Sequence, residues 1–347
     1  MRAIVRALRT ATAAALACAA LLNGCSLDRA RTITPSTPDA AAPYRLLLQP
    51  SDGYQPLIDL IASAGHSLRM TMYQLTDPEV VTALIDAHQR SVEVKVLLNA
   101  AYHGTDTNAE AYDTLHQAGV AVRWTSATTI YHQKTITVDD RTSAVGTGNL
   151  TRRHYDTSRD AYILVTNPAD VTAIAATFDT DFTNPTAPTP AAGTPTPRLV
   201  WSPNSETTFL QRITSATRTL DITSVELADR PTIAAITKAA RRGVACRIIL
   251  PEQPADTRTI AQVTAAGCAV HISGERTGTL YMHQKMLLVD GHQLIIGSHN
   301  LSATSLIDNR ELSLQLDTTT APDILATLAA TFDNDYQQAP PAPSSHR

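Results

Sequence analysis

Residues 281–312, YMHQKMLLVDGHQLIIGSHNLSATSLIDNREL, set a histidine two positions before a lysine and end an apolar run with Gly-Ser-His-Asn. Residues 130–162, IYHQKTITVDDRTSAVGTGNLTRRHYDTSRDAY, repeat the arrangement. The first set is His132, Lys134, Asp139, Gly146, Asn149 and Asp160. The second is His283, Lys285, Asp290, Gly297, Asn300 and Glu311, with Ser298 after its glycine. Successive intervals are 2, 5, 7, 3 and 11 residues in both. An imidazole can be a nucleophile or a general acid. A lysine beside it meets a phosphate oxygen as a point charge. Glycines let backbone N–H groups approach an anion, and asparagine adds a side-chain donor. A carboxylate fixes the proton on one ring nitrogen and so selects the tautomer. Two such copies facing each other across a pseudo-two-fold axis supply attack on one side of a phosphorus atom and a protonated leaving group on the other. The lysines and asparagines then hold the equatorial oxygens.

The elements that must position these residues are also written twice. SLRMTMYQLTDPEVVTALIDAHQRSVEVKVLL (67–98) lies over TLDITSVELADRPTIAAITKAARRGVACRIIL (219–250), AGVAVRW over AGCAVHI, and TFDTDF (177–182) over TFDNDY (331–336). A match this extended is a duplication. Each copy reads as a short strand (45–49; 198–202), a helix (54–65; 205–217), a strand (67–74; 219–226), an amphipathic helix and a β-rich run. In the first copy that helix puts Val80, Val81, Leu84, Ile85 and His88 on one side. The motif spans two apolar runs separated by a turn, which reads as a hairpin in a mixed sheet. His and Lys at i and i+2 on a strand share a face, whereas Asp139 and Asp290, at odd spacing, fall on the other and read as structural. Alternating strands and helices give an α/β fold of two lobes, each a mixed sheet flanked by helices.

The spacing His-x-Lys, four residues, Asp, six residues, Gly-(Gly/Ser)-x-Asn resembles the signature of the phospholipase D superfamily. HQKMLLVDGHQLIIGSHN fits it throughout; HQKTITVDDRTSAVGTGN places Thr147 where Gly or Ser is usual and keeps a hydroxyl. Asp160 stands where many members carry Glu, one methylene shorter, which would weaken its hold on a histidine. The resemblance covers about residues 44–337 and implies a duplicated fold with the active site at the lobe interface. It implies a metal-independent phosphodiesterase with His132 as nucleophile, forming a phosphohistidine, and His283 as general acid and later base. Lys134, Lys285, Asn149 and Asn300 would clamp the phosphate. Asp160 and Glu311 would orient the histidines. No cofactor is called for, and a histidine beside a lysine is a poor metal ligand because the ammonium repels a cation. His154, with Arg152 and Arg153 after Asn149, could contact substrate, but the segment reads first as a solvated basic turn.

The substrate does not follow from such a site, since the same residues cut lipids and nucleic acids. Arg2, Arg6 and Arg9 precede a short alanine-rich apolar run, a secretory signal rather than a span. LLNGC resembles a bacterial lipoprotein box, which implies a lipid on Cys25 and a membrane-anchored or secreted protein outside the cytoplasmic membrane. Without residues 1–24 the formal net charge moves from −4 to −7, because three arginines and no acid are removed. That charge excludes a broad nucleic-acid-coating surface but not a local basic cleft at Arg152, Arg153, Arg241 and Arg242. The expected substrate is a phospholipid at a membrane surface, hydrolysed or transferred to an alcohol. An exported nuclease acting on nucleic acid is the alternative, and a silent binding lipoprotein the third reading. No protein partner is implied. The expected organisation is a signal (1–24), a tether (25–43), lobe 1 (44–182), a Pro/Thr-rich linker (183–198), lobe 2 (199–337) and a disordered tail (338–347). Cys246 and Cys268 read equally well as a disulfide or as two buried thiols.

Overall fold

The computed structural model describes residues 42–186, 196–253 and 256–343. The signal, Cys25 and most of the tether lie outside the described residues. Lobe 1 runs β1 (Tyr44–Gln49), α1 (Gln55–Ala62), β2 (Ser67–Met72), α2 (Pro78–Gln89), β3 (Glu93–Leu98), α3 (Gly104–Gln117), β4 (Ala121–Trp124), β5 (Thr135–Val138), β6 (Thr142–Gly146), β7 (Ser158–Val165) and α4 (Pro168–Thr183). Lobe 2 runs β8 (Leu199–Ser202), α5 (Glu206–Thr214), β9 (Thr219–Thr223), α6 (Arg230–Arg241), β10 (Ala245–Pro251), α7 (Thr257–Ala265), β11 (Ala269–Ser273), β12 (Tyr281–Met282), β13 (Met286–Val289), β14 (Gln293–Gly297), β15 (Glu311–Asp317) and α8 (Pro322–Gln338). The sheets have matching orders, β1-β7-β6-β5-β2-β3-β4 and β11-β10-β9-β13-β14-β15-β8. In each, parallel pairs (β2–β3–β4; β9–β10–β11) continue into an antiparallel hairpin built from the motif (β5–β6; β13–β14).

Both faces of each sheet are covered, which is why the strands are apolar without alternation. Along β13, Leu287 and Val289 meet the core under α5–α7, while Met286 and Leu288 point the other way. Along β7, Tyr162 and Leu164 join the core under α1–α3, and Ala161, Ile163 and Val165 face lobe 2. Those inward rows, with Leu312 and Leu314 of β15 and the apolar faces of α4 and α8, make one core shared by both lobes. Each buried Leu or Ile contributes about 1.5–3 kcal/mol, so the central core fixes how the two motifs face each other. In α2 the buried stripe is Val80, Val81, Ala83, Leu84 and Ala87; His88 is only half-buried, because the stripe follows i, i+4, i+7 from Val80.

Polar ties join the lobes. Arg310, just before Glu311, is fully buried and reaches Asp181 at the end of α4 (2.6 and 2.8 Å). Its counterpart Arg159, just before Asp160, reaches Asp335 in α8 (2.6 and 2.9 Å). The repeated TFDxDF/Y segments therefore serve this exchange, each aspartate holding the other lobe's arginine. Cys246 of β10 and Cys268, next to β11, form a disulfide with Cα atoms 4.6 Å apart.

Two boundaries differ from the sequence expectation. Residues 338–343 are ordered: α8 runs to Gln338, and Pro340 and Ala342 then hydrogen-bond β11 (Ile272 N–H to Pro340 O, 2.9 Å; Ala342 N–H to Val270 O, 2.8 Å), satisfying an open sheet edge. At the end of the linker, Arg198 is tied to Asp170 (2.8 and 3.1 Å), and Pro43 of the tether accepts Thr166 N–H at 2.8 Å.

Candidate active site

The motif residues fall at one end of the interface. His132 and Lys134, and His283 and Lys285, lie in extended chain just before β5 and β13 rather than on those strands. The chain there serves the other lobe: His132 N–H donates to Arg310 O (2.9 Å) and His283 N–H to Arg159 O (3.2 Å). Each lysine ammonium also turns back to its own histidine carbonyl, Lys134 to His132 O and Lys285 to His283 O. Asp139 and Asp290 stand away from the site at positive φ in the hairpin turns. Each caps the backbone before β2 or β9: Asp139 accepts the N–H groups of Gly65, His66 and Ser67 (2.7–2.9 Å), and Asp290 those of Thr217, Arg218 and Thr219.

The orienting carboxylates are exchanged between lobes. Nδ1 of His132 lies 2.9 Å from Glu311 Oε2 and 3.1 Å from Ser298 O. Both are acceptors, so Nδ1 carries the proton and Nε2 keeps its lone pair. That Nε2 makes no hydrogen bond among the described residues. Nδ1 of His283 lies 2.9 and 3.1 Å from the two oxygens of Asp160. The Lys285 ammonium lies beside this ring, 3.1 Å from its Nε2 and 3.2 Å from its Nδ1, and also donates to Thr147 O at 3.1 Å. The two rings share a tautomer when neutral, but Nε2 of His132 is open whereas a cation lies beside the His283 ring.

The two carboxylates are supported by different means. Thr147 donates its hydroxyl proton to Asp160 Oδ1 (2.6 Å) and accepts Ala161 N–H (2.9 Å). A Cβ on Gly148 would stand 2.8 Å from the Asp160 carboxyl carbon, so only glycine admits this close approach. Glu311 is held instead by Ser305 Oγ (2.6 Å) and Asn309 Nδ2 (3.1 Å), both on Oε1. Ser298, the counterpart of Thr147, bonds only the Leu312 backbone (3.0 and 3.2 Å). The shorter reach of Asp160, which the sequence reading took as a weakness, is met by a carboxylate pinned from the Thr147 side.

Burial and charge set the protonation states. Lys134 and Lys285 are 1% and 3% exposed. Burial pushes the Lys285 ammonium down to about 8, against the pull of Asp160 and Glu311. Burial, with Lys285 nearby, holds Lys134 well below the usual lysine range. Burial lowers His132 to about 4 despite Glu311, and Lys134 adds to the effect; His283 is lowered for the same reason. Glu311 overcomes its burial and sits at about 2 because His132 and its donors face it; Asp160 is lowered by His283 and Lys285. His132 is therefore neutral near pH 7, with its Nε2 lone pair free, between charged partners.

Of the expected clamp, Asn300 Oδ1 accepts Val225 N–H (3.3 Å), while its side-chain NH2 makes no hydrogen bond among the described residues. Asn149 makes one long bond to Gln74 (3.3 Å). A cavity of about 960 Å³ opens beside His283, Asp160 and Asn149, walled by Arg153 and His154 from lobe 1 and by Glu275 and residues 278–281 from lobe 2. The basic turn therefore faces this space. Tyr73 stacks edge-on against His132 (4.7 Å) on the other side. Sequence reading missed Ser305, Asn309 and the exchanged arginines. The arginine before each carboxylate, at equal position in both copies, was the available signal. Among the described residues no His, Cys, Asp and Glu cluster forms a metal site, and no helix is long and apolar enough to cross a membrane.

Comparison with known proteins points the same way. The family model described as "Cardiolipin synthase, PLD-like domain" matches twice, over residues 57–183 and 209–336. Cardiolipin synthase B of Salmonella typhimurium is 26% identical over 342 residues, covering 84% of this chain and 81% of that protein. Phosphatidylserine synthase of Haemophilus influenzae superposes with a TM-score of 0.66 at 13% identity, covering 86% of this chain and 87% of that one. Polyphosphate kinase of Porphyromonas gingivalis gives 0.66 at 16% identity over 88% of this chain, which spans half the kinase's length. These two structures share the fold.

Proposed function

Because the chain belongs to the phospholipase D-like family and is an enzyme of the phosphodiesterase type, we propose that it cleaves phospholipid headgroup phosphodiesters through a phosphohistidine on His132, without a metal. The observation that carries this is the open Nε2 of His132, on a tautomer held by Glu311 from the other lobe. Nε2 attacks phosphorus. The leaving alcohol oxygen takes a proton from Nε2 of His283 in its doubly protonated form, whose charge Asp160 stabilises against burial, and His283 is left neutral with its proton on Nδ1. Lys134, Lys285 and the free Asn300 amide stabilise the equatorial oxygens. His283 then removes a proton from water or an alcohol, which attacks the phosphohistidine and frees His132. The cardiolipin synthase relative, similar over most of both chains, supports a phospholipid substrate and makes transfer to an alcohol as natural an outcome as hydrolysis.

The geometry gives less support to cleavage of nucleic acid. Arg152 is paired with Glu79, and Arg242 donates to the Thr214 and Ala216 carbonyls. Two of the four arginines that could have tracked a phosphate backbone are thus engaged. We place the protein outside the cytoplasmic membrane, held by a lipid on Cys25; the buried Cys246–Cys268 disulfide supports an oxidising compartment. The test uses the full chain in EDTA with mixed phospholipid vesicles and, in parallel, plasmid and single-stranded DNA, beside His132→Ala. Headgroup release lost in the variant is expected. DNA cleavage with intact lipid would overturn the lipid reading, and loss of activity in EDTA the metal-free one.

A further inference from the structure

The two motif lysines are buried alike but supported unequally. Lys285 donates to the carbonyls of Thr147 (3.1 Å) and His283 (2.5 Å) and lies beside the His283 ring, which Asp160 backs. Lys134 donates to one acceptor, His132 O, and no carboxylate pairs with it among the described residues. An ammonium carries several donors. The rest of those on Lys134, which is 1% exposed, find no oxygen acceptor among the described residues.

A ring stands where those acceptors would be. The Lys134 ammonium lies over the face of Tyr73, 5.1 Å from its centre, within the range at which the ring quadrupole attracts a cation. The same ring packs against the His132 imidazole, with centroids 4.7 Å apart and planes at 69°. Tyr73 thus touches the nucleophile and its lysine together. It follows β2 directly, and the repeat puts Val225, which has no π face, in the same place in lobe 2. Tyr73 is half-buried, and its hydroxyl makes no hydrogen bond among the described residues. Burial raises that phenol above its ordinary value, so it stays neutral where the two lysines titrate. Lys134 therefore meets a ring face and not a phenolate.

We infer that Tyr73 is a positioning residue of the nucleophile side: its π face keeps the buried Lys134 ammonium charged and aimed beside His132, the part that carbonyls and an Asp160-backed imidazole play for Lys285. Around Lys134, Lys285 opposes its charge, Glu311 and Asp160 favour it, and His132 and His299 stand neutral nearby. Both carboxylates are bonded to histidines and act on Lys134 only through space, so the ring is its direct support. The inference rests on the phosphodiesterase reading for what the charge does, which is to meet a phosphate oxygen. The contact itself is independent of substrate.

The chain has four lysines, Lys95, Lys134, Lys238 and Lys285. NMR titration of the full chain labelled with carbon-13 at lysine Cε therefore reads each ammonium by itself, without substrate. Tyr73→Leu should lower the Lys134 midpoint by about one pH unit, the worth of a desolvated cation–π contact, and leave Lys95 and Lys238 unmoved. Tyr73→Phe keeps the ring and should hold the midpoint near wild type. Trifluorophenylalanine at position 73 nearly keeps the shape of phenylalanine but withdraws charge from the ring face, which separates the π face from packing. It should give the result of the leucine variant. A Lys134 midpoint that stays put with the fluorinated ring, or that falls as far in Tyr73→Phe, overturns the inference. Headgroup release at about pH 8, measured on the same proteins, should fall about tenfold in Tyr73→Leu and stay near wild type in Tyr73→Phe. A shifted Lys134 with no release from any lipid refutes the phospholipid reading alone. Release that is lost in His132→Ala, with Lys134 unmoved by the ring changes, refutes the role of Tyr73 alone.

Discussion

The two lobes carry one motif at one spacing, yet they finish it differently. In lobe 1 the orienting carboxylate is an aspartate pinned by Thr147 from the motif's own glycine loop and packed against Gly148. In lobe 2 it is a glutamate held by Ser305 and Asn309 from the following segment, with His299 where lobe 1 has Gly148. Each carboxylate serves the opposite lobe's histidine. The histidine held from lobe 2 has an open Nε2; the one held from lobe 1 faces Lys285 and the large polar cavity. Duplication thus supplies two equal rings, and the unequal segments around them supply a nucleophile side and a leaving-group side.

The sharpest way to break this comparison is to remove each ring. His132→Ala should lose about 10⁴-fold or more in turnover with any substrate, because the bond-forming atom is gone. His283→Ala should lose about 10²–10⁴-fold with an alkyl leaving group but recover most of that with a nitrophenyl phosphodiester, whose oxygen needs no proton. Rescue of His132→Ala instead would exchange the two roles.

Next is the exchange of arginines. Breaking a buried pair from one side costs about 3–5 kcal/mol. Asp181→Asn, beneath fully buried Arg310, should approach the upper end, and Asp335→Asn, beneath the slightly exposed Arg159, should cost less. Denaturant unfolding measures both, and a reversed order would show that burial does not rank the two ties.

Thr147→Val removes the hydroxyl that holds Asp160. Since a hydrogen bond to a charged group is worth about 1.5–3 kcal/mol, turnover should fall about 10–100-fold, and Thr147→Ser should stay near wild type. Ser298→Ala, whose hydroxyl never touches Glu311, should fall only a fewfold; Ser305→Ala is the true counterpart. The pH profile separates the sides again. His132 must be unprotonated to attack, so activity should fall about tenfold per unit below about pH 4. On the alkaline side His283 must hold its second proton and Lys285 its charge. Burial lowers the first below the ordinary histidine value, so activity declines as that proton is lost, and a steeper limb should stand near pH 8 where Lys285 loses its charge. Lys285→Arg should move that limb upward if Lys285 causes it.

The doubled α/β fold and the residues gathered at the interface were legible because both rest on spacing, and spacing survives duplication. The structural reading of Asp139 and Asp290 followed from parity along a strand. The exchange of carboxylates was not legible, because a one-dimensional repeat does not say which copy faces which histidine. The Arg310–Asp181 and Arg159–Asp335 ties were written in the repeat, but charged pairs far apart in sequence carry no periodicity. His132 and Lys134 were expected on a strand. They stand just before it because the N–H groups of His132 and Gln133 go to Arg310 O of the other lobe, a constraint that only the assembled core imposes. The basic turn was read first as solvated, with substrate contact as the alternative, because exposure and cavity lining look alike in sequence; Arg153 and His154 line the cavity.

A smaller effect than that of Thr147→Val is expected where sequence and structure disagree. Restoring the usual glutamate at position 160 reads, from the motif alone, as a repair. The structure gives the opposite sign. The Asp160 carboxyl already meets Nδ1 of His283 with both oxygens and receives the Thr147 hydroxyl at 2.6 Å. Its carboxyl carbon lies where only a glycine at 148 leaves room. An added methylene must push the carboxylate off Thr147 or press on His283, and overpacking of this kind costs about 1–3 kcal/mol. Asp160→Glu should therefore lower turnover about threefold to tenfold. The reciprocal Glu311→Asp should lose more, since Ser305 and Asn309 do not follow a shortened side chain toward His132. Steady-state rates on one lipid substrate decide it. A faster Asp160→Glu enzyme would mean that Thr147 compensates for a defect, and a slower one that lobe 1 has its own complete solution.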